Sequence, residues 1–428
     1  MAIVIAEIAA SDADLRDQQA QDRLVQRWSQ WRLEATDVGV QTSTVLDAAA
    51  RHGGTADAAR RAAREHHQRT GRSGGNGSLM RTAPVALAYL DDGAAMIDSA
   101  RQISELTHAD PDAADACALW CAAIRHAILT GTLDARIGLI HLDSGRRDLW
   151  ARRLDEAEAA QPADFTKNGW VVRALQAAWC AITTTPVPDD DPAAAVFRAD
   201  HLRLTLEAAV RGGGDTDTVA AIAGGLLGAA YGASAVPAEW RVVLHGWPGL
   251  ATPDLVRLAT TIALSEPQHP TDYRGWPGTD TLVQHPHDVG VWIGGAEALQ
   301  RPPEGIGAIV SLCRIPAVHL TGVEHLEVRL IDRVGENANL DYVLLDTVEA
   351  MERYRADRRS VLLHCVAAAS RTPTVAALYG ARRAGIGIDQ ALNEVIAVLP
   401  DADPNPEFQA ALQRLHPHGR KDIRHALG

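Results

Sequence analysis

From residue 1 to about 265, apolar positions recur at the spacing of one helix face. Ala-rich amphipathic runs lie at 22–31, 55–67, 94–107, 112–130, 149–160, 171–183, 193–211 and 218–231. Gly-, Pro- and Asp-rich joints separate them and β-branched alternation is scarce, so this part is predicted to be all-α. Residues 218–238 carry no charge, but they are mostly Ala and Gly and run into Pro237. That composition predicts a buried helix packed closely through small residues rather than a membrane span.

Near residue 266 the texture changes. Residues 265–288, SEPQHPTDYRGWPGTDTLVQHPHD, have no period and are rich in Pro, Gly, His and Asp. Short apolar runs follow at 289–293, 308–313, 327–330 and 360–364, with helical patterns at 340–355, 372–384, 388–398 and 406–415. Strands alternating with helices predict an α/β domain with a mainly parallel sheet. The expected division is an all-α domain over 1–264, a linker over 265–284 and an α/β domain over 285–428.

Composition narrows the function. The 428 residues suit two or three domains, and a formal charge of −13 with no long basic run argues against nucleic acid as a partner. Cys117, Cys121, Cys180, Cys313 and Cys365 are few, scattered and odd in number, which fits a reducing cytoplasm better than a disulfide framework. Cys117 and Cys121, four apart on a helical run with no second pair, read as buried small hydrophobes. The start, MAIVIAEIAASDADLRD, lacks a basic n-region.

The sharpest chemical signal is SVLLHCVAAASRTPTVAALYG, residues 360–380. A β-rich run ends at Cys365, Arg371 follows six positions later, and a helix begins. A loop that opens a helix turns its N–H groups inward and cradles an anion. Arg371 can hold two phosphate oxygens. The same positive field favours the Cys365 thiolate, the nucleophile. Singly, the two residues read better as a core cysteine and a helix cap.

The strand, the Cys-x5-Arg spacing and the helix together resemble the signature of the cysteine-dependent phosphatases, the dual-specificity branch most closely, over roughly residues 285–420. The resemblance makes Val366, Ala367, Ala368, Ala369, Ser370 and Thr372 the rest of the phosphate-binding loop, with Thr372 placed to bond the thiolate. It implies a general acid some thirty positions before the cysteine. Asp332 is thirty-three before it, and Asp341 and Asp346 are weaker candidates. VGVWIGGAEAL, residues 289–299, looks like the family's opening strand and turn. Where the family has Gly, this chain has Ala368, which matters if that position needs φ > 0. The loop holds no Lys, so a phosphorylated protein or small phosphomonoester is expected rather than a highly phosphorylated inositol lipid.

In the helical part, RGGGDTDTVAAIAGG (211–225) places Asp215, Asp217 and Thr218 after three glycines. All-oxygen donors suit a hard cation; the plainer reading is a glycine loop whose Asp and Thr cap a helix. SGGNGSLMRTAPVAL (73–87), SELTHADPDAADAC (104–117) and KNGWVVRALQAAWCAI (167–182) precede it, and a closing YG…VPAEW follows. In this order the motifs resemble the ADP-ribosylglycohydrolase family over about residues 1–263. That family is all-α and uses two Mg²⁺ ions to remove ADP-ribose from proteins or small conjugates.

The resemblance implies that Asp215, Asp217 and Thr218 are metal ligands and that Gly75, Asn76, Gly77 and Ser78 line the ADP-ribose. It sets His108 toward substrate, though His108 also reads as a helix-end histidine. The family's other ligands, a Thr/Ser-Asp-Asp-Thr cluster ahead of a helix, are not found, and the metal site is incomplete. MAIVIAEIAA resembles the helix directly after that cluster. The expectation is therefore an upstream in-frame extension, and weak ADP-ribosyl hydrolysis by these 428 residues alone. The alternative is a helical domain that binds ADP-ribose without cleaving it.

Overall fold

The computed structural model describes residues 1–264, 273, 275–315 and 322–416. It divides into two compact units. The first comprises Met1–Val187, His201–Ala233 and His245–Gln268; the second comprises Pro188–Asp200, Ser234–Leu244 and His269–Gly428.

The first unit is helical, and local chemistry sets its helix ends. Thr55 accepts from the Ala58 N–H at 3.2 Å to start Ala56–Thr70, and Gly71, at φ 59°, ends it. Asp110 accepts from the Asp112 N–H at 2.9 Å ahead of Pro111, starting the long central helix Pro111–Thr130. Helix Val171–Thr184 is buried along most of its length, from Val171 to Ile182. Helix Thr216–Tyr231 packs through its small residues: a Cβ on Gly225 would stand 3.2 Å from Ala83 Cβ. Trp120 bonds the Ile222 carbonyl at 2.9 Å across that packing. Among the described residues no helix is long and apolar enough to cross a membrane.

Three expectations need correction here. Helix 193–211 begins only at Asp200, because Asp191 caps the single turn Pro192–Ala194 and Ala195 turns left-handed at φ 57°. Val40–Arg51 and Thr252–Leu264 are helices that the sequence pattern did not single out. Both carry several β-branched residues, which blur a helical period.

The second unit holds a five-stranded sheet in the order Leu282–His285, Asp288–Gly294, Ser360–His364, Ile306–Ser311, Glu324–Glu327. The first pair is antiparallel and the rest are parallel. The central strand Ser360–His364 is buried from Val361 to His364, so its apolar run does not alternate. The strand expected at 327–330 lies at Glu324–Glu327; Arg329, at φ 55°, breaks it. Leu282–His285 is a strand within the expected linker, whose residues 265–272 and 274 lie outside the described set. Helices Leu340–Ala356, Arg371–Ala384, Ile388–Val398 and Pro406–Leu415 follow the expected positions.

The short helix Ala238–Arg241 belongs to this unit. The buried Asp346 carboxylate accepts from the Ala238 N–H at 2.9 Å and from Arg241 at 3.2 Å. Burial raises its pKa, and Arg241 opposes that.

Candidate functional site

The sheet delivers Cys365 to the second unit's site. The central strand ends at His364, and Cys365 N–H donates to the Gly294 carbonyl at 3.3 Å. Beyond it the loop carbonyls are held from outside. Val366 O accepts from Ala296 N at 2.8 Å, Ala369 O from Asp403 N at 2.7 Å, and Ser370 O from Thr374 N at 3.2 Å. Gly278, at φ 77°, leaves room for the Ala367 carbonyl, which would lie 2.8 Å from any Cβ there. Among the described residues no hydrogen bond is recorded from the N–H groups of Val366 to Arg371. A run of free N–H groups with tethered carbonyls is an anion cradle.

Arg371 closes the cradle. Its Nη1 bonds the carbonyls of Leu312 at 3.3 Å and Leu330 at 3.0 Å. Its Nε is buried and, among the described residues, has no hydrogen-bond partner, leaving a donor that a phosphate oxygen would satisfy. Asp332 stands 3.9 Å from that Nε and accepts from Ser370 Oγ at 2.7 Å and Asn405 Nδ2 at 3.0 Å. The competing acids are engaged elsewhere: Asp341 pairs with Arg414 at 2.6 Å, and Asp346 holds the Ala238 helix. Ala368 has φ 54°, the left-handed conformation glycine takes most easily. Thr372 does not behave as expected; its hydroxyl donates to the Gly294 carbonyl at 3.4 Å.

The first unit brings three distant stretches together around Asp215. Asn76, at the start of the turn Asn76–Arg81, donates to Asp215 Oδ2 at 2.7 Å and to the Asn168 carbonyl at 2.8 Å. Asn168 in turn accepts from the Asp215 N–H at 2.8 Å and donates to the Gly213 carbonyl at 2.8 Å. Gly214, at φ 76°, must be glycine, since a Cβ there would fall 2.4 Å from Asn168 Oδ1. The plain capping reading fails. Asp215 is the N-cap of Thr216–Tyr231, yet its carboxylate makes no cap hydrogen bond to that helix.

Asp217 is exposed on the first turn, and Thr218 is buried with its hydroxyl 3.6 Å from Met80 Sδ. Two carboxylates and a hydroxyl suit one side of a hard-cation site. Among the described residues no group of three or more His, Cys, Asp or Glu that could hold a metal is assembled.

His108 sits beneath the glycine-rich loop. Its Nε2 lies 3.3 Å from a Cβ position on Gly75, and its Cε1 lies 3.4 Å from one on Gly77. Thr107 Oγ1 accepts from Arg81 at 2.6 Å and meets His108 Nδ1 at 2.7 Å. Burial, then the Arg81 charge, drives the His108 pKa well below its usual value, so the ring is neutral at pH 7. Ser78 is buried, with Oγ 3.6 Å from Cys117 Sγ. Cys117 and Cys121 are buried, as expected.

Residues without an assigned role from sequence also belong here. Asn168 had a motif signal but no role. Gln41 bonds the Ser73 and Thr107 carbonyls at 2.9 and 3.0 Å, and nothing in its local sequence marks it.

A family model described as ADP-ribosylglycohydrolase matches residues 1–270. The chain is 28% identical to ADP-ribosylhydrolase ARH3 of Homo sapiens over 205 residues, 40% of this chain and 54% of that protein. It is 30% identical to ADP-ribosylarginine hydrolase Tri1 of Pseudomonas putida (strain GB-1) over 168 residues, 39% of this chain and 41% of that one. The chain therefore spans about half or less of these relatives. It is 32% identical to dual specificity phosphatase 28 of Mus musculus over 129 residues, 29% of this chain and 78% of that protein.

Proposed function

Given that the chain belongs to the ADP-ribosylglycohydrolase family through residues 1–270, and to the dual-specificity phosphatases through its α/β unit, we propose a bifunctional hydrolase. The helical unit removes ADP-ribose from modified proteins or small conjugates with a divalent cation. The α/β unit hydrolyses phosphomonoesters through Cys365.

The observation that carries the phosphatase reading is the cradle itself: N–H groups from Val366 to Arg371 that have no partner among the described residues, beside an Arg371 Nε in the same condition. A phosphoryl group seated there presents its phosphorus to the Cys365 thiolate. The S–P bond forms as the P–O bond to the leaving group breaks. Asp332 delivers its proton to the departing oxygen. Asp332, now a carboxylate, then takes a proton from water, which attacks phosphorus, releases inorganic phosphate and restores the thiolate. The backbone cradle and Arg371 bind the charge on the equatorial oxygens throughout.

In the helical unit, Asp215, Asp217 and Thr218 would hold the cation. It would supply positive charge that orders ribose hydroxyls and water. Asn76 and Asn168 fix Asp215 for that task. Gly75 and Gly77 let a ligand approach the backbone, and the neutral His108 ring packs against the loop from beneath. Because the donors come from one chain segment, an ADP-ribose-binding unit that does not cleave is the second reading. Calorimetry with ADP-ribose, with and without Mg²⁺, beside an assay of ADP-ribose release from a modified protein, separates them. Tight binding with no release favours the second.

For the phosphatase, the test is metal-free turnover of an aryl phosphate. Cys365→Ser should abolish it, and wild-type turnover by that variant would refute the assignment.

A further inference from the structure

The buried strand ends behind the cradle carry a hydrogen-bonded chain of three side chains. Ser311 Oγ lies 2.5 Å from His364 Nε2 and 2.8 Å from His325 Nε2, and His364 Nδ1 lies 3.1 Å from the Cys365 carbonyl. These residues end or occupy three neighbouring parallel strands, with Ser311 in register with His364. Ser311 and His364 are fully buried.

The protons in this chain have one arrangement. A carbonyl only accepts, so His364 Nδ1 carries the hydrogen. A neutral imidazole then offers Nε2 as an acceptor, and the Ser311 hydroxyl must donate to it. With its hydrogen committed, Ser311 Oγ accepts from His325 Nε2–H. Burial keeps both rings neutral near pH 7, each pKa pushed down to about 4.

We propose that Ser311 and His325 are positioning residues for the Cys365 loop, acting through His364 on the Cys365–Val366 peptide. A trans peptide sets its C=O and N–H on opposite sides. Holding the Cys365 carbonyl toward His364 therefore turns the Val366 N–H the other way, toward the cradle. Ser311 fixes the His364 tautomer that can hold this carbonyl, and His325 fixes the Ser311 rotor. Without Ser311 the imidazole can move its proton to Nε2 and release the carbonyl.

This inference rests on the phosphatase reading of the same site, and two readouts keep them apart. Turnover of an aryl phosphate tests the phosphatase reading. Protection of Cys365 from iodoacetamide by inorganic phosphate, measured on the full chain, tests the positioning whether or not turnover is seen. Ser311→Ala should weaken protection about fivefold, the worth of one neutral hydrogen bond, while Ser311→Thr, which keeps the hydroxyl, stays within about twofold. ¹⁵N spectra of the histidines should show His364 protonated at Nδ1 in the parent and Ser311→Thr, and a mixture of tautomers in Ser311→Ala. His325→Leu should show the same loss in weaker form and His325→Gln, which can still donate, should not. The partly exposed His325 site serves if Ser311→Ala fails to fold. Parent-like protection in both Ser311→Ala and His325→Leu overturns the proposal. So does a Ser311→Thr variant as impaired as Ser311→Ala.

Discussion

Asn76 donates to the Asp215 carboxylate at 2.7 Å across 139 positions of sequence, tying the glycine-rich loop to the candidate cation ligand. Asn168 completes the link by holding both the Asp215 N–H and the Gly213 carbonyl. The acid is thereby oriented by amide groups rather than by its own helix.

Asn168 is therefore expected to matter for both stability and cation binding. Asn168→Ala strands the Asp215 N–H and the Gly213 carbonyl in a partly buried place, costing about 1–2 kcal/mol. Thermal denaturation should register that loss. Calorimetry with Mg²⁺ or Mn²⁺ should show weaker binding, as should Asp217→Ala with little loss of stability. Equal cation binding by parent and Asp217→Ala would place any cation elsewhere.

Among the three acids that precede the cysteine in sequence, only Asp332 should behave as a general acid. Asp332→Asn should lower kcat on an aryl phosphate by roughly 10²–10⁴-fold. Asp341→Asn loses a pair with Arg414 that is partly exposed and should leave kcat close to the parent's. Asp346→Asn should reduce stability, since it holds the buried Ala238 and Arg241 groups. A large kcat loss confined to Asp341→Asn would reassign the acid.

Ala368 tests the strain in the cradle. A non-glycine residue in the left-handed region costs about 1–2 kcal/mol, and glycine returns about 0.5–1 kcal/mol of that through its freer unfolded chain. Ala368→Gly should thus be neutral to about 1 kcal/mol more stable, with kcat/KM equal or higher. Ala368→Val should lose both stability and turnover, the β-branched side chain fitting φ 54° poorly.

The α/β unit should weaken in mild acid. His325 and His364 have folded pKa values near 4, below the ordinary 6.5, so the unfolded chain binds more protons between those values. Their contribution is fully present above about pH 6.5 and is lost as pH falls toward about 4, with a slope of at most about 2.7 kcal/mol per pH unit for the pair. Denaturant unfolding from pH 7.5 to 4.5 measures it. His325→Gln should reduce the slope, and an unchanged slope would contradict neutral burial of that ring.

Local chemistry made much of this protein legible from sequence. Helix Ile388–Val398 and strand Ser360–His364 fall where periodicity put them, because their apolar patterns are long or unbroken. Cys365, Arg371 and the run Asp215, Asp217, Thr218 were visible because each set is contiguous, with its chemistry and turn residues in one segment. The tertiary structure decided what is non-local. That Asp332 rather than Asp341 or Asp346 adjoins Arg371 follows from which acids other elements had engaged. Ser311 and His325 have ordinary strand sequences and became partners of His364 only through the parallel register of three strands. Asn168 reaches Asp215 only because the chain folds those stretches together. Hydrogen-bond partners so far apart leave no periodic trace, since the spacing that unites them is set by packing and not by the helix or strand repeat.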